Sequence, residues 1–206
     1  MAERLIWNFE FLQHKQTPLI PPVTDELNDL KWENRYFWSA DEIIHLNTID
    51  PALLDITHYQ QKHKEDHYYL LPNKNFNIKR RRGELLYKPI IKRSGPMLGF
   101  GPKINLDGIE TLPNNNDSTI DALKKIVSAV KAQGVMIFVK KDAFIFKFPT
   151  TPTIKLELAR LEVNNKVYFS VCVEGRSMQL VKTISALLLT KQKSCGYVSF
   201  LKSIIT

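Results

Sequence analysis

The sequence predicts an α+β protein built on an antiparallel β-barrel of about eight strands with flanking helices. Three observations predict it. Runs with period-2 alternation recur along the chain, and a strand points alternate side chains to opposite faces. Turn signals at Pro72–Asn75, Gly83 and Asn164-Asn165 join neighbouring runs as hairpins. Several runs carry charge on one face and aliphatic side chains on the other. A sheet of that kind can close into a barrel, with an apolar or a polar interior.

Residues 4–12, RLIWNFEFL, alternate Leu5, Trp7, Phe9 and Phe11 against their neighbours and read as a strand. Thr17 to Pro22 holds three prolines and breaks that pattern. Asp25 to Leu30 reads as a short helix. Residues 1–30 are therefore expected to be an N-terminal extension, a strand plus a Pro-rich linker, ahead of a main domain at 31–206. Trp32 to Trp38, WENRYFW, is aromatic and alternating, a strand with Glu33 and Arg35 on one face. Ser39-Ala-Asp-Glu42 spells a capping box, so a helix is expected from Ala40 to roughly Asn47. Asp50-Pro51 opens another helical turn. Thr57 to Leu71 reads as a long strand with Lys62, Lys64, Asp66 and Tyr68 on one face.

The next hairpin sets Asn77, Lys79 and Arg81 on one side of its first strand, and Glu84, Leu86 and Lys88 on one side of its second. Cations on strand positions beside apolar neighbours differ from a solvated charge run. Ser94 to Asn116, rich in Gly, Pro and Asn, reads as one long loop with a bound segment at Met97 to Phe100, and its length suits a lid. Asp117-Ser118 caps an amphipathic helix, Thr119 to Gln133, closed by Gly134. Four strands follow: Val135–Lys141, Ala143–Phe148, Thr153–Val163 and Lys166–Glu174, with a turn at Asp142. Ser177 to about Lys191 and Tyr197 to Ile205 read as helices.

Composition narrows the function. A net charge of +8 favours an anionic partner. No apolar run approaches the roughly 20 residues that span a bilayer, and the N-terminus has no apolar signal core. A cytoplasmic protein with no membrane partner is expected. Two cysteines, Cys172 and Cys195, are too few for a disulfide scaffold, and Cys172 falls in an apolar strand pattern as a small core or lumen side chain. The five histidines show no metal-ligand spacing, which argues against a structural zinc site.

The order of motifs resembles the CYTH superfamily, the triphosphate tunnel metalloenzymes. WENRYFWSADEIIHL is similar to the family's first strand, ExExK, with Glu33 and Arg35 at two of its polar positions and Phe37 where its Lys falls. Asp66-His-Tyr68-Tyr69 resembles the D-x-Y-aromatic strand, and Phe76–Lys79 with Arg81 the basic L-R-x-R strand. Leu86–Pro89 resembles T-x-K, and Phe138–Lys141 the K-x-R strand that follows a helix. Lys155–Ala159 and Phe169–Gly175 resemble the last acidic strands, with Cys172 in place of the penultimate Glu. The likeness runs from Lys31 to Leu189.

The resemblance implies a barrel lumen that holds a triphosphate. Arg35, Lys79, Arg81, Lys88, Lys140 and Lys155 would take its phosphates, with Lys62 and Lys64 as further candidates. Glu33, Glu157 and Glu174 would hold Mg²⁺ or Mn²⁺, since hard cations take oxygen ligands and let phosphates complete the shell. The implied activity is metal-dependent hydrolysis of an inorganic, thiamine or nucleoside triphosphate; cyclase activity belongs to the same fold. The alternative is a non-catalytic module of that fold for polyphosphate, nucleotide or RNA. No catalytic base is assignable. Structural roles compete: Lys155 and Glu157 share a face and can form a plain ion pair, and Glu174 can cap the helix after Gly175.

Overall fold

The computed structural model describes residues 2–13, 20, 29–113, 117–189 and 192–205. The chain opens with a hairpin rather than one strand: β1 (Ala2–Ile6) and β2 (Phe9–Leu12) turn at Trp7, whose φ is 47°. The turn holds because the Asn8 amide donates to the carbonyls of Ala40 and Glu42, at 2.8 and 2.9 Å. Next come β3 (Lys31–Ser39) and β4 (Ile44–Asn47). The predicted helix over 40–47 does not form, although its capping box does: the Ser39 N–H donates to Glu42 Oε1 at 3.0 Å. Ile44 and Leu46, both buried, sit two apart and pair β4 in parallel with β2. A cap is worth about 1 kcal/mol; burying two large aliphatics is worth about 1.5–3 kcal/mol each. Packing overrides the local signal. Pro51–Leu54 forms the expected helical turn, a 3₁₀ turn capped by Asp50.

The barrel strands are β5 (Gln60–Leu70), β6 (Asn77–Arg81), β7 (Glu84–Lys88), β8 (Ile90–Ser94), β9 (Met97–Phe100) and β10 (Ile104–Asn105), then helix α1 (Ser118–Gln133), β11 (Val135–Lys147), β12 (Lys155–Val163) and β13 (Lys166–Gly175). Helices α2 (Met178–Leu188) and α3 (Tyr197–Ser203) complete the chain. The large sheet runs β10-β7-β6-β5-β11-β12-β13-β3-β9-β8. Only Pro89 separates β7 from β8, yet β7 pairs with β6 and β8 with β9, near opposite ends of that order. The sheet therefore curls until its ends meet. Pro89 suits the seam, having no N–H to give to a ladder. Its carbonyl accepts from Gly101 N–H at 3.0 Å. With β7 and β8 taken as one bent strand, this is the α+β, roughly eight-strand antiparallel barrel expected.

Two expectations change. Ser94 to Leu112 is no lidlike loop: β8 and β9 form a hairpin about Gly95 (φ 55°), and Met97 and Phe100 are buried. Asp142 makes no turn. β11 runs straight through it, because Asp142 pairs with His63 on one side and Arg160 on the other. Its carboxylate Oδ1 lies 2.7 Å from His63 Nδ1. Gly134 does end α1, but at φ −69°; a Cβ there would come 2.4 Å from the Val130 carbonyl oxygen, so close approach rather than a left-handed turn calls for glycine. Most of the Pro-rich linker, and the helix expected at 25–30 apart from Asp29 and Leu30, lie outside the described residues.

Three apolar clusters hold the barrel. Outside β3, β12 and β13, α2 packs Leu180, Val181 and Ile184 with Trp32, Leu156 and Val171; Phe9 and Phe11 of the first hairpin join the same core. Outside β6 and β7, α1 sets Val127 and Val130 on Ile78 and Leu85. The third cluster lies within one end of the barrel, where α3 brings Tyr197, Phe200 and Leu201 against Tyr68, Val139, Ala159 and Leu161. No helix among the described residues is long and apolar enough to cross a membrane.

Candidate phosphate and metal site

Strand parity fills the barrel. β3 turns Glu33, Arg35 and Phe37 inward, and β13 turns in Ser170, Cys172 and Glu174. Register then sets the layers. Glu33 lies opposite Glu174, which lies opposite Lys155; Arg35 lies opposite Cys172, which lies opposite Glu157. Across the barrel β5 contributes Lys62, Lys64 and Tyr68, and β6 contributes Asn77, Lys79 and Arg81.

Apart from Phe37, Ser170 and Cys172, these side chains line one cavity of about 220 Å³. Ten cations reach it (Lys31, Arg35, Lys62, Lys64, Lys79, Arg81, Lys88, Lys103, Lys141 and Lys155) against three carboxylates, Glu33, Glu157 and Glu174. That excess suits an anion. Its floor is aromatic. Tyr68 and Tyr197 stack with centroids 5.0 Å apart, and Phe37 stacks on Phe200 at 3.8 Å. Phe37 thus stands where a lysine was expected because α3 fills that end of the barrel.

Pairing organises the cations. Asp66 accepts from Lys79 at 3.0 Å and pairs with Arg81 as well, so one carboxylate aims two cations. Burial, the strongest influence, lowers Lys79 to about 7 against the opposing pull of Asp66; the neighbouring charges of Arg81 and Lys141 add to the lowering. Burial also lowers Lys64 to about 8, assisted by Lys141 and opposed by Glu157. Glu157 is buried between Arg35 (2.9 Å) and Lys141 (2.8 Å). Burial raises Glu157, but these two cations override it and hold the carboxyl well below its usual range. Burial likewise raises Glu33, yet Lys88 and Arg35 bring it to about 2. Glu174 pairs with Lys31 at 2.7 Å.

The expected site residues fall as follows. Arg35, Lys62, Lys79, Arg81, Lys88 and Lys155 line the cavity, with Glu33, Glu157 and Glu174. Lys140 does not; it is exposed on the outer face, and Lys141 takes the inward place. Lys140 follows from the resemblance of Phe138–Lys141 to a K-x-R strand, whereas the β11 alternation from Ile137 and Val139 gives Lys141. Lys31 shares the parity of Glu33 and was legible on that ground. Lys103 and Tyr197 carry no sequence signal, because they arrive from distant segments.

The residues fit a divalent ion in part. The ligand atoms of Glu33, Cys172 and Glu174 lie within 4.8 Å of one another. Two carboxylates plus phosphate oxygens meet the needs of an ion such as Mg²⁺ or Mn²⁺. Glu157 is less free for that role, being committed to Arg35 and Lys141.

No family model matches the chain, and no curated protein does. Solved structures do. An adenylate cyclase candidate from Bacillus halodurans is 13% identical, covering 78% of this chain and 92% of its own, with a TM-score of 0.42. An adenylyl cyclase candidate from Hippeastrum, described as revealing a dominant triphosphatase activity, is 12% identical over 75% of this chain and 83% of its own, TM-score 0.41. A Pyrococcus horikoshii OT3 protein is 14% identical over 84% of this chain and 99% of its own, TM-score 0.38. At such values the likeness carries no family, no residue's role and no activity to this chain.

Proposed function

We propose that the cavity binds a triphosphate and that the protein hydrolyses it with a divalent metal ion, the substrate being inorganic, thiamine or nucleoside triphosphate. The convergence of ten cations from separate strands and loops on one walled cavity carries this reading. A triphosphate brings about four negative charges, and a partly dry cavity strengthens each contact to it. Arg35 is set to bind a phosphate oxygen. Glu157 and Ser170 fix its Nη1, at 2.9 and 3.3 Å, while its buried Nε has no hydrogen-bond partner. Asp66 steers Lys79 and Arg81 toward the same space. Lys88 and Lys31 hold Glu33 and Glu174 and are long enough to turn to phosphates when an ion takes those carboxylates. Mg²⁺ or Mn²⁺ on Glu33 and Glu174 would neutralise phosphate charge and polarise the terminal group.

The test is phosphate release from tripolyphosphate, thiamine triphosphate and ATP with Mg²⁺ or Mn²⁺, for wild type and Glu174→Ala. Release that Glu174→Ala abolishes supports the hydrolase. A second reading is a non-catalytic polyphosphate, nucleotide or RNA-end binding module. It is favoured by the Cys172 and Arg35 positions, which leave only Glu33 and Glu174, each paired with a lysine, as carboxylates for an ion. Retained tripolyphosphate binding with no release from any triphosphate would select it.

A further inference from the structure

We propose that Cys172 is a metal ligand and that it turns the divalent site toward a thiophilic ion, Zn²⁺ or Co²⁺, over Mg²⁺. This rests on the reading of the Glu33–Glu174 wall as the ion's place, and goes beyond it in the class of ion. Cys172 Sγ lies within 4.8 Å of a carboxylate oxygen of both Glu33 and Glu174. Zinc binds thiolate at about 2.3 Å and carboxylate oxygen at about 2.0–2.2 Å, so one ion reaches all three after a small contraction of rotamers.

A second observation separates Cys172 from an ordinary buried cysteine, which is a small apolar filler. It is fully buried yet belongs to none of the three apolar clusters. Its cross-strand partners are Arg35 and Glu157, and Glu174 is next on its own face. The sulfur therefore sits on the inward strand face, buried behind the cavity wall beside Glu33 and Glu174, and no hydrogen bond engages it among the described residues. Soft thiolate selects Zn²⁺-like ions, whereas all-oxygen sets suit Mg²⁺. The charge balance points the same way. Lys88 and Lys31 already pair with the two carboxylates, so oxygen ligands alone hold an ion weakly. On binding, the thiol releases its proton to solvent and the sulfur donates an electron pair to the ion; nothing is oxidised.

The experiment titrates full-length protein with Co²⁺ and follows the near-ultraviolet thiolate-to-metal charge-transfer band. Zn²⁺ and Mg²⁺ are titrated separately by calorimetry. Wild type and Cys195→Ser should show the band, and Cys172→Ser should lose it. Zn²⁺ affinity should fall by about tenfold or more in Cys172→Ser, with Mg²⁺ unchanged. Co²⁺ binding by wild type without the band, or no binding of Co²⁺ and Zn²⁺, overturns the proposal. Because Cys195→Ser leaves Cys172 as the sole cysteine, the band in that variant is decisive, and a Cys172→Ser protein that fails to fold leaves the test intact; a band lost in Cys195→Ser overturns the proposal. Metal-free tripolyphosphate binding is measured in parallel: its absence in wild type sinks the triphosphate reading, whatever the cobalt spectrum shows.

Discussion

The two ends of the barrel are built from the same strands and could hardly differ more. Along its inward row β12 passes from Lys155 and Glu157 to Ala159, Leu161 and Val163; β5 passes from Lys62 and Lys64 to Tyr68 and Leu70; β3 passes from Glu33 and Arg35 to Phe37. The antiparallel order gathers the charged stretches of β3, β5, β12 and β13 at one end and their apolar stretches at the other; β11 mixes the two, with Lys141 opposite Leu161 and Ile145 opposite Glu157. The apolar end buys rigidity by taking in α3. The charged end gives up apolar burial and keeps an open cavity whose ion pairs hold the side chains in place. Position along a row, more than residue type, decides whether an inward side chain supports the fold or faces a ligand.

Perturbing each end should separate the two roles. The largest effect is expected from Arg35→Ala, which strands the buried Glu157 with Lys141 and removes the guanidinium; breaking such a pair costs about 3–5 kcal/mol in denaturant unfolding. Phe200→Ala, at the closed end, should cost about 3 kcal/mol by loss of the Phe37 stack. Its metal-free tripolyphosphate affinity should hold at temperatures where the protein stays folded. A comparable loss of affinity would show that the aromatic floor also grips the ligand. Lys79→Ala should act the other way round, weakening tripolyphosphate binding about tenfold, or about 1.4 kcal/mol, by calorimetry.

The pH response sharpens the same division. With Lys79 at about 7 and Lys64 at about 8, both lose charge as pH rises through that range. Tripolyphosphate affinity should therefore fall from pH 7 toward pH 8, and Lys79→Arg should flatten the curve. The stability of the ligand-free protein should move oppositely. Above about pH 7, and up to the ordinary lysine value of 10.5, the unfolded chain binds more protons at these positions, so stability rises with pH there. The smallest effect belongs to Lys140→Ala, on the outer face: within about 0.5 kcal/mol in stability, and no change in tripolyphosphate affinity. Lys141→Ala, one residue on, should lose both. An equal response from the pair would break the inward assignment of β11.

Much of this was legible because period-2 alternation is a local property. Asn77, Lys79 and Arg81 share a face whatever they pack against, and the cap at Asp117 and the turn at Asn164-Asn165 act as read. What failed was each place where local chemistry met a competing partner. The Ser39–Glu42 box forms without its helix, since Ile44 and Leu46 are claimed by β2. Asp142 carries no turn, since β5 and β12 pair straight past it. The loop expected after Ser94 folds back as β9, which pairs with β3 and closes the barrel.

The sequence alone, then, determined which side chains share a strand face, where most helices begin, and that a basic concave surface awaits an anion. It could do so because parity, caps and turns depend on near neighbours. Only the tertiary structure decided that the sheet closes across Pro89, that α3 stoppers one end, and that Glu157 serves Arg35 and Lys141 while Cys172 faces Glu33 and Glu174. Those outcomes depend on strand register and barrel closure, which bring together residues more than 100 positions apart, such as Arg35 and Glu157.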